Sequence, residues 1–125
     1  VRVISEATAK TLTEMLIGVT QEGGTAESAS INGYLVAGKT GTTEILTDDS
    51  TVASFVGFLP ARNPALAIAV IVNRPEGIFG GTVAAPVFRE VALAAMQALN
   101  IAPDPNVVAA QAARNGAGGE RDASQ

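Results

Sequence analysis

The chain has 125 residues and a mass of 12.6 kDa, the size of one ordinary domain. At 47% hydrophobic and 16% charged it is excluded from wholesale disorder, and a net charge of −4 argues against the basic footprint of a nucleic-acid binder. Cys and His are both absent, which excludes disulfides, the common zinc sites and Ser-His-Asp or Cys-His catalysis within the chain.

In chain order, Ser5 to about Thr20 is predicted as a helix. Leu12, Met15, Leu16 and Val19 recur at i, i+3, i+4 and i+7, Ser5 supplies an N-cap, and Gly23-Gly24 stops the run. Gly33 to Thr43 reads as a strand and Glu44 to Ser50 as an acidic loop. Val52 to Leu59 and Ala65 to Val72 form a hairpin around the turn cluster Pro60–Pro64. Both faces of the third strand are apolar, with Leu66, Ile68, Val70 and Val72 on one and Ala65, Ala67, Ala69 and Ile71 on the other. This pattern suits a central strand covered on both sides, so a partner strand from outside the chain is expected beside it. After a loop at Glu76–Gly81, Thr82 caps a helix to about Leu99, with Pro86 at its fourth position. Its expected apolar stripe is Ala84, Phe88, Val91, Ala92, Ala95 and Leu99. Residues 1–104 make one α+β unit, and 105–125 read as a disordered Ala/Gly-rich tail in which Ala109–Arg114 is at most nascent helix. The longest apolar stretch, Pro64 to Asn73, is far short of the roughly 20 residues of a membrane helix, and no signal-peptide pattern follows Val1. The expectation is a piece of a longer protein.

The chemistry concentrates at Lys39-Thr40-Gly41-Thr42. One of two lysines interrupts an apolar strand between Gly38 and Gly41, which permit close backbone approach, and Thr40 and Thr42 share a strand face. A cation beside two hydroxyls and exposed backbone N–H groups suits a carboxylate ligand. An edge-strand Lys placed against aggregation is the other reading of the same residues. Alternation sets Lys39 on the face opposite Thr40 and Thr42, so it must reach the site from beneath the strand. Glu44, Asp48 and Asp49 read as a solvated loop, Arg74 and Glu76 as a surface or cleft-rim pair. Tyr34, Phe55, Phe58 and Phe88 read as packing residues.

The run Tyr34-Leu35-Val36-Ala37-Gly38-Lys39-Thr40-Gly41-Thr42 closely resembles the third active-site motif of penicillin-binding proteins. The resemblance extends in colinear order through Val3–Leu16, Gly24-Thr25-Ala26, Phe55–Ala61 and Asn63-Pro64. Gly80-Gly81-Thr82-Val83-Ala84-Ala85-Pro86-Val87-Phe88 is similar to the loop and helix start of the class B, monofunctional members. It covers about residues 1–104. It implies a penicillin-binding/serine β-lactamase-like transpeptidase fold, α+β, of which this chain gives the last three antiparallel strands and two flanking helices. The family's first strand, which pairs with its last, is not in this chain.

The resemblance also implies a half-site. The family's nucleophile lies in S-x-x-K, and none of Ser5, Ser28, Ser30, Ser50, Ser54 or Ser124 has Lys three residues on. Ser30-Ile31-Asn32 fits the second motif, S-x-N, but stands where the family does not place it and reads as coincidence. By resemblance, the catalytic residues are Lys39, Thr40, Gly41 and Thr42. Lys39 supplies positive potential, the Thr40 and Thr42 hydroxyls bind a carboxylate, and the Thr42 N–H is an oxyanion-hole donor. No metal or cofactor is implied. The implied partners are a companion chain or N-terminal portion carrying S-x-x-K and S-x-N, peptidoglycan stem peptides and β-lactams. The implied place is the extracytoplasmic face of the bacterial membrane, with the anchor outside this chain. The implied activity is D,D-transpeptidation in cell-wall cross-linking. A non-catalytic β-lactam sensor and a D,D-carboxypeptidase or β-lactamase of the same fold stand as alternatives.

Overall fold

The computed structural model describes residues 1–47, 50–75 and 80–119. The first helix, α1 (Glu6–Gly18), begins where its cap predicts. Ser5 is extended, its Oγ accepts the Thr8 N–H at 3.1 Å, and Glu6 lies in the first turn. The helix does not bury the expected stripe. Leu12 and Met15 remain 45% and 64% exposed, while Ile17 is buried with Ala37 and Ala61, flanked by Leu16, Leu35 and Phe58. The reason is that α1 packs against a single described element, the first strand, so only one narrow side of it is covered. Arg62, in the turn between the second and third strands, grips α1 from outside. Its Nε and Nη2 donate to the two Glu14 carboxylate oxygens at 2.9 and 3.0 Å.

Three antiparallel strands follow, β1 (Ala37–Ile45), β2 (Ser50–Leu59) and β3 (Leu66–Asn73), in the order β1-β2-β3. The register pairs Gly38 with Gly57, Thr40 with Phe55, and Thr42 with Ala53; beyond them Phe55 pairs with Val70. Cross-strand partners share a face, so Gly38, Thr40 and Thr42 stand on the same side as Phe55. That side is covered by α2 (Gly80–Ala98), whose Ala84, Ala85, Phe88, Ala92 and Met96 are fully buried. The rings of Phe55 and Phe88 meet edge to face, centroids 4.8 Å apart and planes at 70°.

β3 is an edge strand among the described residues, the position beside which a partner strand from outside the chain is expected, and within the chain it is covered on one side only. Leu66, Ile68, Val70 and Val72 pack toward α2, while Ala67, Ala69 and Ile71 are exposed, Ile71 by 70%. The apolar outer face predicted from sequence is therefore present but uncovered. Other expectations are corrected. Val91 on α2 and Leu99 beyond its end are exposed and Met96 is buried, because the covered stripe runs at i, i+4 spacing through Ala84, Phe88, Ala92 and Met96. The helix begins at Gly80 rather than Thr82. Pro86 is consequently its seventh residue, not its fourth, and the Thr82 carbonyl lacks the helical N–H that this position would donate. β1 begins at Ala37, later than the predicted Gly33, and runs past Glu44 to Ile45. Glu76 and the loop residues up to 79, with Asp48 and Asp49, lie outside the described residues.

The largest difference lies at the C-terminus. Pro105–Gly119 forms a third helix, α3, where composition suggests a disordered tail; the positions after 119 lie outside the described residues. Low hydrophobicity misleads because α3 is held by hydrogen bonds rather than by a broad apolar face. Asp104 opens it, its Oδ1 accepting the Asn106 N–H at 2.8 Å, and Gln111 docks onto the backbone of Ile31 and Gly33.

Two outcomes test this account. Phe88→Ala removes one ring of the central pair and is expected to cost about 3–5 kcal/mol in denaturant unfolding. The Glu14 carboxyl is held below its ordinary value by the hydrogen bond from Arg62 and then by the guanidinium's charge. Because the folded-state value is depressed, the pair's stabilisation is complete above the ordinary Glu pKa and is lost as pH falls through the folded-state value. Both side chains are exposed, so the effect is small. In an NMR titration, Arg62→Ala is expected to raise the Glu14 midpoint toward the ordinary carboxylate range.

Candidate functional site

The strand β1 is delivered to its place by a buried approach, Ile31–Val36. The turn at Ile31–Tyr34 is closed by the Tyr34 N–H to the Ile31 carbonyl at 3.2 Å. Tyr34 is 95% buried, consistent with a packing role, and its hydroxyl donates to the Ile101 carbonyl at 2.6 Å. The next carbonyls are also taken. Leu35 O accepts the Ala61 N–H at 2.8 Å, and Val36 O accepts the hydroxyl of the fully buried Thr20 at 2.7 Å. From Ala37 onward β1 has β2 on one side, and its other edge has no partner strand among the described residues.

On that open edge the four motif residues come together. Lys39 is exposed, Thr40 and Gly41 half-buried, and Thr42 exposed. The parity problem seen in the sequence is resolved by the length of the Lys stem. Its Nζ bends forward along the strand edge, donates to the Thr40 carbonyl at 3.0 Å and lies 3.3 Å from Thr40 Oγ1. An ammonium and a hydroxyl from opposite faces thus meet on one strand edge. Such a pair is suited to a carboxylate, which accepts from both and gains from the charge.

Three close approaches hold this edge in position. A Cβ on Gly38 would strike the Phe55 ring and lie 2.9 Å from the Val56 carbonyl. A Cβ on Gly41 would sit 2.6 Å from Ser54 Oγ, which donates to the Gly41 carbonyl at 3.3 Å. A Cβ on Gly81, at the start of α2, would collide with the Thr25 carbonyl and approach Thr40 Cγ2 to 3.4 Å. The start of α2 and the Gly24–Ala26 loop therefore form a lip beside Thr40, fastened where Ser28 Oγ donates to the Gly81 carbonyl at 2.8 Å.

The sequence reading missed Ser54 and Ser28. The cue for Ser54 was its alternation with Phe55, which sets it on the strand face opposite that ring. Ser28 lies in a 3₁₀ turn, Glu27–Ala29, that no pattern announced. Other candidates fall elsewhere. Glu44 is exposed on β1, opposite Thr51. Arg74 adopts a positive φ of 52° at the end of β3, and its Nε donates to Ser50 Oγ at 3.4 Å. Ser30 and Asn32 lie in the turn before β1, where Ser30 O accepts from Arg89 Nε at 3.1 Å. Among the described residues no cluster of three or more His, Cys, Asp or Glu side chains is arranged for a metal. A cavity of about 640 Å³ lies between α1, the β2–β3 turn and α3, lined in part by Glu14, Tyr34, Arg62 and Arg114, but not by Lys39–Thr42. The motif is one open wall.

Comparison with known proteins supplies the context of this wall. Residues 1–93 match the family model of the penicillin-binding protein transpeptidase domain. Over 109 residues the chain is 39% identical to the probable peptidoglycan D,D-transpeptidase PenA of Neisseria flavescens, covering 82% of this chain and 27% of that protein. It is 39% identical over 114 residues to stage V sporulation protein D of Bacillus subtilis, covering 86% of this chain and 18% of that protein. The transpeptidase domain of Burkholderia pseudomallei penicillin-binding protein 3 superposes with a TM-score of 0.75 at 38% identity. That match covers 82% of this chain and 33% of the domain structure. The chain thus spans about a fifth to a third of the relatives and structures it matches.

The packing beneath Lys39 yields a direct test. Gly38→Ala must displace the Phe55 ring or the strand, and is expected to lower stability by about 1–3 kcal/mol in denaturant unfolding.

Proposed function

The chain belongs to the penicillin-binding protein transpeptidase family, in its class B branch, and we propose that it supplies the substrate-binding strand of a peptidoglycan D,D-transpeptidase. The observation that carries this reading is the Lys39 ammonium folded to 3.3 Å from Thr40 Oγ1 on an open strand edge. In this reading Lys39, Thr40 and Thr42 receive the terminal carboxylate of a stem peptide or the carboxylate of a β-lactam. Gly41 keeps the edge free of a side chain, and the Thr42 N–H is one of two oxyanion-hole donors.

The nucleophilic serine and its lysine come from S-x-x-K, and a second serine from S-x-N, both supplied from outside this chain. The serine oxygen adds to the carbonyl carbon of the penultimate D-Ala. The peptide C–N bond then breaks, and terminal D-Ala leaves as the protonated amine. An amine of a neighbouring stem peptide attacks the acyl carbon, releasing the serine and forming the cross-link. The transpeptidase names of the relatives favour transfer over the sensor, carboxypeptidase and β-lactamase readings. Action at the extracytoplasmic face, through an anchor outside this chain, is the place that the relatives' peptidoglycan transpeptidase names favour. Among the described residues no helix is long and apolar enough to cross a membrane.

The test is acylation by a fluorescent penicillin. The full-length protein is expected to be labelled, and the isolated chain not. Lys39→Ala is expected to slow acylation about 10- to 100-fold, the loss of one charge-assisted hydrogen bond. An unchanged rate in Lys39→Ala, or covalent labelling of the isolated chain, would overturn the proposal.

A further inference from the structure

The C-terminal helix α3 lies beyond the residues matched by the family model, yet it touches the one turn from which the Lys39 strand is launched. Gln111, in the second turn of α3, is half-buried with its carboxamide laid across that turn. Its Oε1 accepts the Gly33 N–H at 2.8 Å, and its Nε2 donates to the Ile31 carbonyl at 3.2 Å. The Asp104 N–H donates to the Gly33 carbonyl at 2.9 Å, and the Tyr34 hydroxyl reaches Ile101 O. Both polar groups of the Gly33 backbone are thus satisfied by the segment Asp104–Gln111. Gly33 itself adopts a φ of +84°, and a Cβ there would strike Pro103 and crowd Val108.

We propose that Gln111 is a positioning residue for the Lys39–Thr42 edge. It acts as one rung of a strand would, pairing a donor and an acceptor of the Ile31–Gly33 backbone and so fixing where β1 begins. From Gly33 to the motif the chain is nearly inextensible, because Leu35 and Val36 are each tied by their carbonyls to Ala61 and Thr20. A shift of the turn is therefore passed along the backbone rather than absorbed by slack. An edge strand paired on one side only has no second neighbour to oppose that shift. The transition state is more sensitive than initial binding to the placement of the Thr42 N–H, so the effect appears in the rate of bond formation. The proposal rests on the transpeptidase reading above.

The experiment measures acylation of the full-length protein by a fluorescent penicillin, resolved into the dissociation constant of the first complex and the first-order acylation rate constant. Gln111→Met keeps the length and helix preference of the side chain and removes both hydrogen bonds. It is expected to lower the acylation rate constant about tenfold, with the dissociation constant within about twofold. Gln111→Glu, which keeps the acceptor for Gly33, is expected to recover part of the rate, and serves alone if Gln111→Met does not fold. Ile68→Ala, on the far strand β3 where it packs toward α2, sets the loss due to destabilisation alone. A Gln111→Met loss no larger than that, or a Gln111→Glu rate no better than that of Gln111→Met, overturns the positioning role. Lys39→Ala run in parallel separates the two ideas. If it acylates like the wild type, the transpeptidase reading has failed and the positioning role falls with it.

Discussion

Phe55 and Phe88 meet edge to face at 4.8 Å, and the geometry of the β1 edge depends on that contact. A ring on β2 presses toward β1 at Gly38, and a ring on α2 presses into β2 at Gly57, where an added Cβ would come within 2.9 Å of the Phe88 ring. Each aromatic therefore demands a glycine beneath it, and the two glycines pair directly across the strands. This slot is what lets α2 sit low enough for Gly81 to reach the Thr25–Thr40 neighbourhood. Larger residues in the slot would lift α2 and separate its start from the motif. The glycine that precedes Lys39 thus has a packing cause as well as a chemical one.

The same packing explains why a lysine serves on a strand whose hydroxyls face the other way. Thr40 and Thr42 are committed by register to the Phe55 side, and Lys39 to the opposite side. A short cation on that side would stay there. The flexible four-carbon stem allows the ammonium to bend along the open edge and reach the Thr40 carbonyl and hydroxyl. That movement needs an unoccupied edge, which is available because β1 pairs with β2 alone among the described strands.

How much of this was legible in the sequence follows from which forces are local. The cap at Ser5, the three strands and the motif on an edge were all visible, since caps, alternation and a lone cation in an apolar run are short-range signals. The α1 stripe misled because amphipathicity reports what a helix is able to bury, not whether a partner is present; Leu12 and Met15 find none here. On β3, Ile71 is likewise apolar and uncovered within the chain, at the edge where a partner strand from outside it is expected. Both faces lie on the α1 side of the sheet or beside it, and the chain covers only part of its relatives. The start of α2 at Gly80 was hidden because two glycines are poor helix formers, and what holds them here is tertiary contact with Ser28 and Thr25. Helix α3 was illegible for a related reason. Its anchors reach far back along the chain, Gln111 roughly eighty positions to Ile31 and Arg114 to Gln21, pairings no local window contains.

A strand edge proposed to receive a ligand faces two opposed demands. It must stay unpaired to be usable, and unpaired edges are the least constrained part of a sheet. The solution here is to fix the strand from behind and from its two faces. On one face Phe55 presses on Gly38, and on the other Ser54 presses on Gly41. Behind, every residue from Gly33 to Val36 hands a backbone or side-chain group to a different element: Gly33 to α3, Tyr34 to the segment after α2, Leu35 to the β2–β3 turn and Val36 to the end of α1. Four separate anchors on four successive residues leave the launch of the strand little freedom while leaving its outer edge untouched. Rigidity is thus concentrated behind the motif and not on its outer edge.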